Sequence, residues 1–171
     1  MQIFNARTIG KIKANKSLLE KKLKIRIIIS GRRVDIEGKS FDIFVAERVL
    51  EAINKNFPID ISLLLLDEDF VLEEIPIKEF TRKKDLSLVR ARILGKKGRT
   101  IEVISELSDC YITLTENTVA ILGPAEKIKD AEHALKSLIS GAKQSKVYGY
   151  LEKARKKVFT EDIGLRESRK E

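Results

Sequence analysis

The stretch that decides the fold is Ile93–Leu107, ILGKKGRTIEVISEL. Gly95 and Gly98 bracket Lys96 and Lys97 inside an otherwise helical apolar pattern. A glycine inside a helix costs ~1 kcal/mol relative to alanine, so two of them mark a break. The lysines then load that break with positive charge. Beyond it, Ile101, Ile104 and Leu107 recur at helical spacing, which predicts a helix over Thr100 to Leu107. Ser108-Asp109 stops it, and Cys110 to Leu114 alternates as a strand. Glu116-Asn117 turns the chain into a second strand at Thr118 to Leu122. Pro124 opens a closing helix from about Ala125 to Ser140, and Gly141 ends it. Upstream, Leu86 to Ala91 alternates weakly and is expected as the first strand, followed by a short helical turn ending at Leu94.

Shifting the sequence by 85 residues exposes a duplication. Val34, Ile36 and Gly38 fall on Val119, Ile121 and Gly123, and Ala46, Leu50 and Ile53 fall on Ala131, Leu135 and Leu138. Without a gap, Gly10 falls on Gly95 and Lys13 on Gly98. The first copy repeats the order, with strands at Gln2 to Ala6, Ile25 to Ile29 and Val34 to Glu37, and helices around Ser17 to Leu23 and Ser40 to Asn54. Four segments result: a first module over 1–56, a linker over 57–84, a second module over 85–142, and a basic helix and tail over 143–171. The linker holds a short apolar helix, Ile61 to Leu66, and an extended FVLEEIPI that Pro76 confines to an edge. In the last segment Lys146 to Phe159 is expected as helix and the final dozen residues as frayed.

The net charge of +8 is distributed unevenly. Residues 7–33 carry +9 and residues 81–99 carry +7, whereas residues 34–80 carry −8. A surface built for solubility mixes the signs. Concentrated basic stretches containing the glycine segments are the footprint of a polyanion. The acidic middle reads as a solvated or protein-docking face. Tryptophan is absent, which argues against a sugar site. The most apolar run, Ile61 to Leu66, is far below the ~18 residues of a membrane span, and MQIFNA lacks the layout of a signal peptide. The single cysteine, Cys110, fits a reducing compartment and reads as a packing residue. His133, the only histidine, has no metal-ligand neighbours at motif spacing and reads as a surface or half-buried helix residue. No catalytic constellation is present; Glu73 and Glu74 are adjacent in a strand and face opposite ways.

The glycines allow a sharp turn and close approach, and the loop opens a helix whose dipole favours an anion. A phosphate backbone is the natural guest of Gly95, Lys96, Lys97 and Gly98, flanked by Arg90, Arg92 and Arg99. Beside the loop, Ile93, Leu94, Ile101 and Ile104 with the neighbouring strand make an apolar groove for unstacked bases. G-x-x-G in this element order resembles a type I KH domain, α+β with a β-α-α-β-β-α order and helices on one face of a three-stranded antiparallel sheet. The first copy, with Lys13 in the place of Gly98, reads as a degenerate module. Its basic residues either touch RNA backbone or leave the module as a protein-docking surface.

Two such modules, only the second with its loop, together with Leu66-Asp-Glu-Asp-Phe70 and Ser145-Lys-Val-Tyr-Gly149, resemble the partner-of-Nob KH family in its archaeal form. The resemblance implies a non-catalytic RNA-binding factor of small-ribosomal-subunit biogenesis, needing no cofactor or metal. It implies binding near the 3′ end of the ribosomal RNA, with a Nob-type endonuclease and the alpha subunit of translation initiation factor two as partners. A cytoplasmic monomer without membrane attachment is expected. Its clamp would be Gly95 to Gly98 with Arg99, and its groove residues Ile101, Ile104 and Ile112. The alternatives are a protein-docking adaptor with incidental RNA contact and a general single-strand-binding KH protein.

Overall fold

The computed structural model describes residues 2–3 and 6–167, with side chains described over residues 8–157. The chain forms two compact units, residues 1–72 and 73–171, the division falling within one strand.

The first unit runs β1 (Gln2–Ile3), α1 (Ala6–Ala14), α2 (Lys16–Leu23), β2 (Arg26–Ser30), β3 (Arg33–Glu37) and α3 (Ser40–Asn54). Its antiparallel sheet has the order β1-β3-β2, with Ile27 opposite Ile36 and Gln2 opposite Val34. After α3 come α4 (Ile59–Ser62) and a 3-10 turn, Leu63–Leu66, which together are the apolar helix expected at Ile61 to Leu66. The second unit runs β4 (Phe70–Pro76), a 3-10 turn at Ile77–Glu79, α5 (Leu86–Leu94), α6 (Arg99–Ser108), β5 (Tyr111–Leu114), β6 (Thr118–Pro124), α7 (Ala125–Ser140) and α8 (Gln144–Glu167). Its sheet has the order β4-β6-β5, the same topology as the first.

Helix α7 shows why these elements form. Ile128, Ala131, Ala134, Leu135, Leu138 and Ile139 recur every three or four residues and are all buried. Gly141, at φ +112°, ends the helix and its N–H closes on the Leu138 carbonyl at 3.1 Å. The central strand β6 buries Val119 through Gly123 without alternation. Gly123 is required there, because a Cβ would stand 2.6 Å from Cys110 Sγ. Cys110 is buried, as expected of a packing residue; burial pushes its thiol up to about 11, and Sγ donates to the Ser108 carbonyl at 3.4 Å. His133 is exposed and lies against the Tyr150 ring, 4.7 Å between centroids. Among the described residues no helix is long and apolar enough to cross a membrane, and no group of three or more metal-ligating side chains gathers.

Five sequence expectations are corrected. Leu86 to Ala91 is helix α5, not a strand: Asp85 caps it by accepting from Ser87 N–H at 2.9 Å, and the i, i+4 pair Val89 and Ile93 forms its buried stripe. The first strand of the second unit is instead β4, at the sheet edge that Pro76 demands, so the second unit includes residues assigned to the linker. The ungapped match of Gly10 to Gly95 fails, because Gly10 lies inside α1, whose Ile9 and Ile12 are buried. In the first unit one residue, Asn15, joins the helices, whereas four residues, 95–98, join α5 to α6. Ala6 begins α1 rather than ending β1, and α8 continues to Glu167 where a frayed tail was expected from residue 160; the rest of that tail lies outside the described residues.

Candidate nucleic-acid interface

The site begins where α5 must stop. Gly95 donates its N–H to the Ala91 carbonyl at 2.9 Å, closing the last turn, and then adopts φ +70°, ψ −179°. That conformation is essentially restricted to glycine. Space restricts it too: a Cβ would lie 1.9 Å from Thr100 Oγ1 and 2.9 Å from Thr100 N. Lys97 (φ +55°) and Gly98 (φ +78°) are left-handed, so three of the four loop residues have positive φ. Gly98 N–H turns back to the Gly95 carbonyl at 3.3 Å, and Arg99 opens α6. At Gly98 a Cβ would meet nothing within 4 Å. One glycine is therefore fixed by the fold, while the other faces open space.

Lys96, Lys97 and Arg99 are exposed around this opening. Arg99 is 3.7 Å from Glu102, a surface pair of little strength. Behind the loop Thr100 is buried, and its Oγ1 accepts from Gln144 Nε2 at 2.8 Å. The first turn of α8 thus braces the first turn of α6, a tie that no sequence pattern announced.

The flanking residues divide. Leu94 is 40 % exposed, and Ile101 and Ile112 are half-buried, so all three present apolar surface. Ile93 and Ile104 are wholly buried and support the surface from beneath, where no base can touch them. Arg90 and Arg92 lie on opposite flanks of the buried Val89–Ile93 stripe. Arg90 Nη1 donates to the Glu116 carbonyl at 2.7 Å, tying α5 to the β5–β6 turn on the flank that carries Leu94. Arg92 instead reaches Gly141 at the end of α7. Tyr111, at the start of β5, is 43 % exposed, but adjacent strand residues face opposite ways, so its ring does not share the face that Ile112 presents.

Among its described residues the first unit offers no such opening. Asn15 Nδ2 donates to the Lys11 carbonyl at 2.9 Å, and its N–H is shared between the Lys11 and Ile12 carbonyls, so the junction closes on itself.

A sheet of order β4-β6-β5 behind two helices, joined by a cationic loop of two glycines, defines a type I KH domain. Residues 71–156 match the family model of the second PNO1 KH domain, described as a eukaryotic type KH-domain of type I. The chain is 29% identical over 157 residues to a KH domain-containing protein of Methanocaldococcus jannaschii, covering 88% of this chain and 69% of that one. It is 34% identical over 141 residues to the pre-rRNA-processing protein pno1 of Emericella nidulans, covering 77% of this chain but 55% of that one. Among solved structures it resembles the Dim2p chain in the a/eIF2alpha-aDim2p-rRNA complex of Pyrococcus horikoshii, with TM-score 0.81, 29% identity, and 91% and 93% coverage. The chain belongs to the partner-of-Nob KH family, in its archaeal form.

Proposed function

We propose that this chain is an RNA-binding assembly factor of the small ribosomal subunit, holding single-stranded ribosomal RNA near its 3′ end. The observation that carries the reading is the loop at 95–98, where Gly98 leaves an open approach beside the exposed Lys96, Lys97 and Arg99 at the start of α6. A phosphate enters there, and unstacked bases lie on Leu94, Ile101 and Ile112. The first unit is then a KH module without a clamp. The protein binds and positions; cutting of the RNA belongs to a Nob-type endonuclease, and the alpha subunit of translation initiation factor two is a further partner. A relative carries pre-rRNA processing in its name, and another was solved with a/eIF2alpha and rRNA, which supports both halves of the reading. The setting is a cytoplasmic monomer.

The test is Lys96→Asp with Lys97→Asp. Affinity for single-stranded RNA should fall at least tenfold, and the salt slope by about 0.7 for each lost phosphate contact. The thermal midpoint should stay in place, because both side chains are exposed. Unchanged RNA affinity would sink the clamp.

One observation favours the adaptor reading as a second role. Phe41 and Phe44 on α3 are 69 % and 58 % exposed, beside a cavity of about 440 Å³ in the first unit. Nuclease-resistant capture of a protein partner, lost in Phe41→Ser/Phe44→Ser, is its expected result. Capture that disappears with nuclease would count against it.

A further inference from the structure

The far flank of α5, away from Leu94, holds a second cavity of about 390 Å³ that the KH groove does not use. Phe80, Arg82, Lys83 and Arg92 line it together with Val89 and the end of α7 at Ile139–Gly141. Its size suits one nucleotide unit. Its charge is one-sided: three cations line it and no carboxylate does. Among the described residues, none of the three is in an ion pair. The nearest acids in sequence are Glu79 and Asp85; neither lines the cavity, and Asp85 is engaged in capping α5.

The cavity is also built rather than incidental. The end of α7, whose dipole would repel an anion, is already answered. Gly141 and Ala142 N–H groups close on the Leu138 and Ser137 carbonyls at 3.1 and 2.9 Å, and Arg92 stands beside Gly141. Ser140 Oγ donates to the Phe80 carbonyl at 3.1 Å, and Lys136 Nζ lies 4.8 Å from the Phe80 ring centroid. The main chain at Phe80 is therefore tied to α7, and the ring, with Lys136 over one face, remains half-buried at the cavity wall. A braced aromatic beside unpaired guanidinium and ammonium groups is the pattern by which single strands are bound through stacking and phosphate contact.

We infer that this cavity is a second nucleotide subsite. It takes one unit of the RNA strand lying outside the KH groove, its phosphate at Arg82 and Lys83 and its base against Phe80. The inference rests on the RNA-binding reading above. The two sites lie on opposite sides of α5, and the 95–98 loop is at the end of that helix. A strand leaving the loop crosses about one helix diameter, ~10 Å, to reach Arg92. A KH groove reads only about four nucleotides, so its affinity gains most from such an outlying contact.

The experiment uses the full chain and two single-stranded RNAs from the 3′ region of small-subunit ribosomal RNA. One is about five nucleotides and the other about twelve, with the shorter cut from the middle of the longer. Arg82→Ala/Lys83→Ala should bind the short RNA like the parent, and the long RNA about tenfold more weakly. Its salt slope on the long RNA should fall by about 1.4, two single-strand phosphates. Phe80→Leu should likewise weaken only the long RNA. It should also restore the fluorescence of a 2-aminopurine placed outside the core, which stacking quenches in the parent. Equal long-RNA affinity and salt slope for parent and Arg82→Ala/Lys83→Ala would overturn the subsite. Equal loss on both RNAs would overturn it as well, as a general field effect. Failure of the parent to bind the short RNA, or its indifference to Lys96→Asp/Lys97→Asp, would instead remove the KH reading on which the subsite rests.

Discussion

Gly95→Ala and Gly98→Ala change the same atom three residues apart, and the structure separates their outcomes. At Gly95 an alanine must hold φ +70° with ψ −179°, a region costing ~1–3 kcal/mol outside glycine. Its Cβ also meets Thr100 Oγ1 at 1.9 Å. Rotating Thr100 would relieve that contact but break the 2.8 Å bond from Gln144, about 1 kcal/mol. Rotation does nothing for the 2.9 Å approach to Thr100 N, so the backbone itself must shift. The two together come to about 2–4 kcal/mol, with the backbone shift in addition. At Gly98 the only cost is the left-handed conformation, about 1–2 kcal/mol, since no atom lies within 4 Å. Urea denaturation should therefore rank Gly95→Ala well below Gly98→Ala in stability. Fluorescence anisotropy with labelled single-stranded RNA should show both weakened, Gly98→Ala about tenfold, because its methyl stands in the phosphate approach. Equal destabilisation by the two variants would refute the steric argument at Gly95. Parental RNA affinity in Gly98→Ala would refute the assignment of the open face.

Three further outcomes are expected from the packing around the loop, the central strand and α8. Gln144→Ala removes the brace on Thr100 and should lower unfolding free energy by about 1 kcal/mol, read by urea denaturation. Gly123→Ala drives a Cβ to 2.6 Å from Cys110 Sγ in a buried strand and should cost about 1–3 kcal/mol; adding Cys110→Ala should recover part of that loss, whereas strict additivity would discount the contact. Cys110 is held protonated by burial up to about 11, and Tyr150 up to about 12 by the hydrogen bond to Asp130, 2.7 Å from its hydroxyl. In both cases the unfolded chain loses its proton first. Stability should stay level up to about pH 9 and fall above it, and Tyr150→Phe should shallow the upper part of that fall.

Much of the fold was legible because α6, β5, β6 and α7 carry patterns that packing does not overrule. The match at 85 residues holds from α2 onward, and it brings β2, β3 and α3 onto β5, β6 and α7. It fails ahead of α2 because the helix junction is three residues longer in the second unit, a difference that an ungapped comparison absorbs silently. Leu86 to Ala91 misled because Leu86 and Leu88 alternate like a strand while Leu88 is 61 % exposed; Asp85 two residues before Ser87 was the capping signal that outweighed it. That β4 supplies the missing strand depends on pairing with β6, more than forty residues away in sequence, which local pattern does not encode. In the site, the glycines and lysines were readable as residue types. Helical periodicity marks an apolar face but not which members end beneath their neighbours, so Ile93 and Ile104 were placed at the surface when they are core. Arg90 and Arg92 looked equivalent in sequence; a rotation of 200° about α5 sends them to different neighbours.

The one-residue junction at Asn15 bears on how the RNA is let go. Two clamps on one chain would hold a strand by mutual rebinding, each raising the other's effective concentration and slowing release by ~10²–10⁴. Among the described residues one glycine loop stands open, at Gly95–Gly98, and the junction at Asn15 closes on itself, so on the proposed reading the first unit has no loop clamp to recapture a phosphate that leaves the second. On that reading the residence time is set within the second unit, by its loop and the subsite across α5, and the first unit is left free of the strand's release.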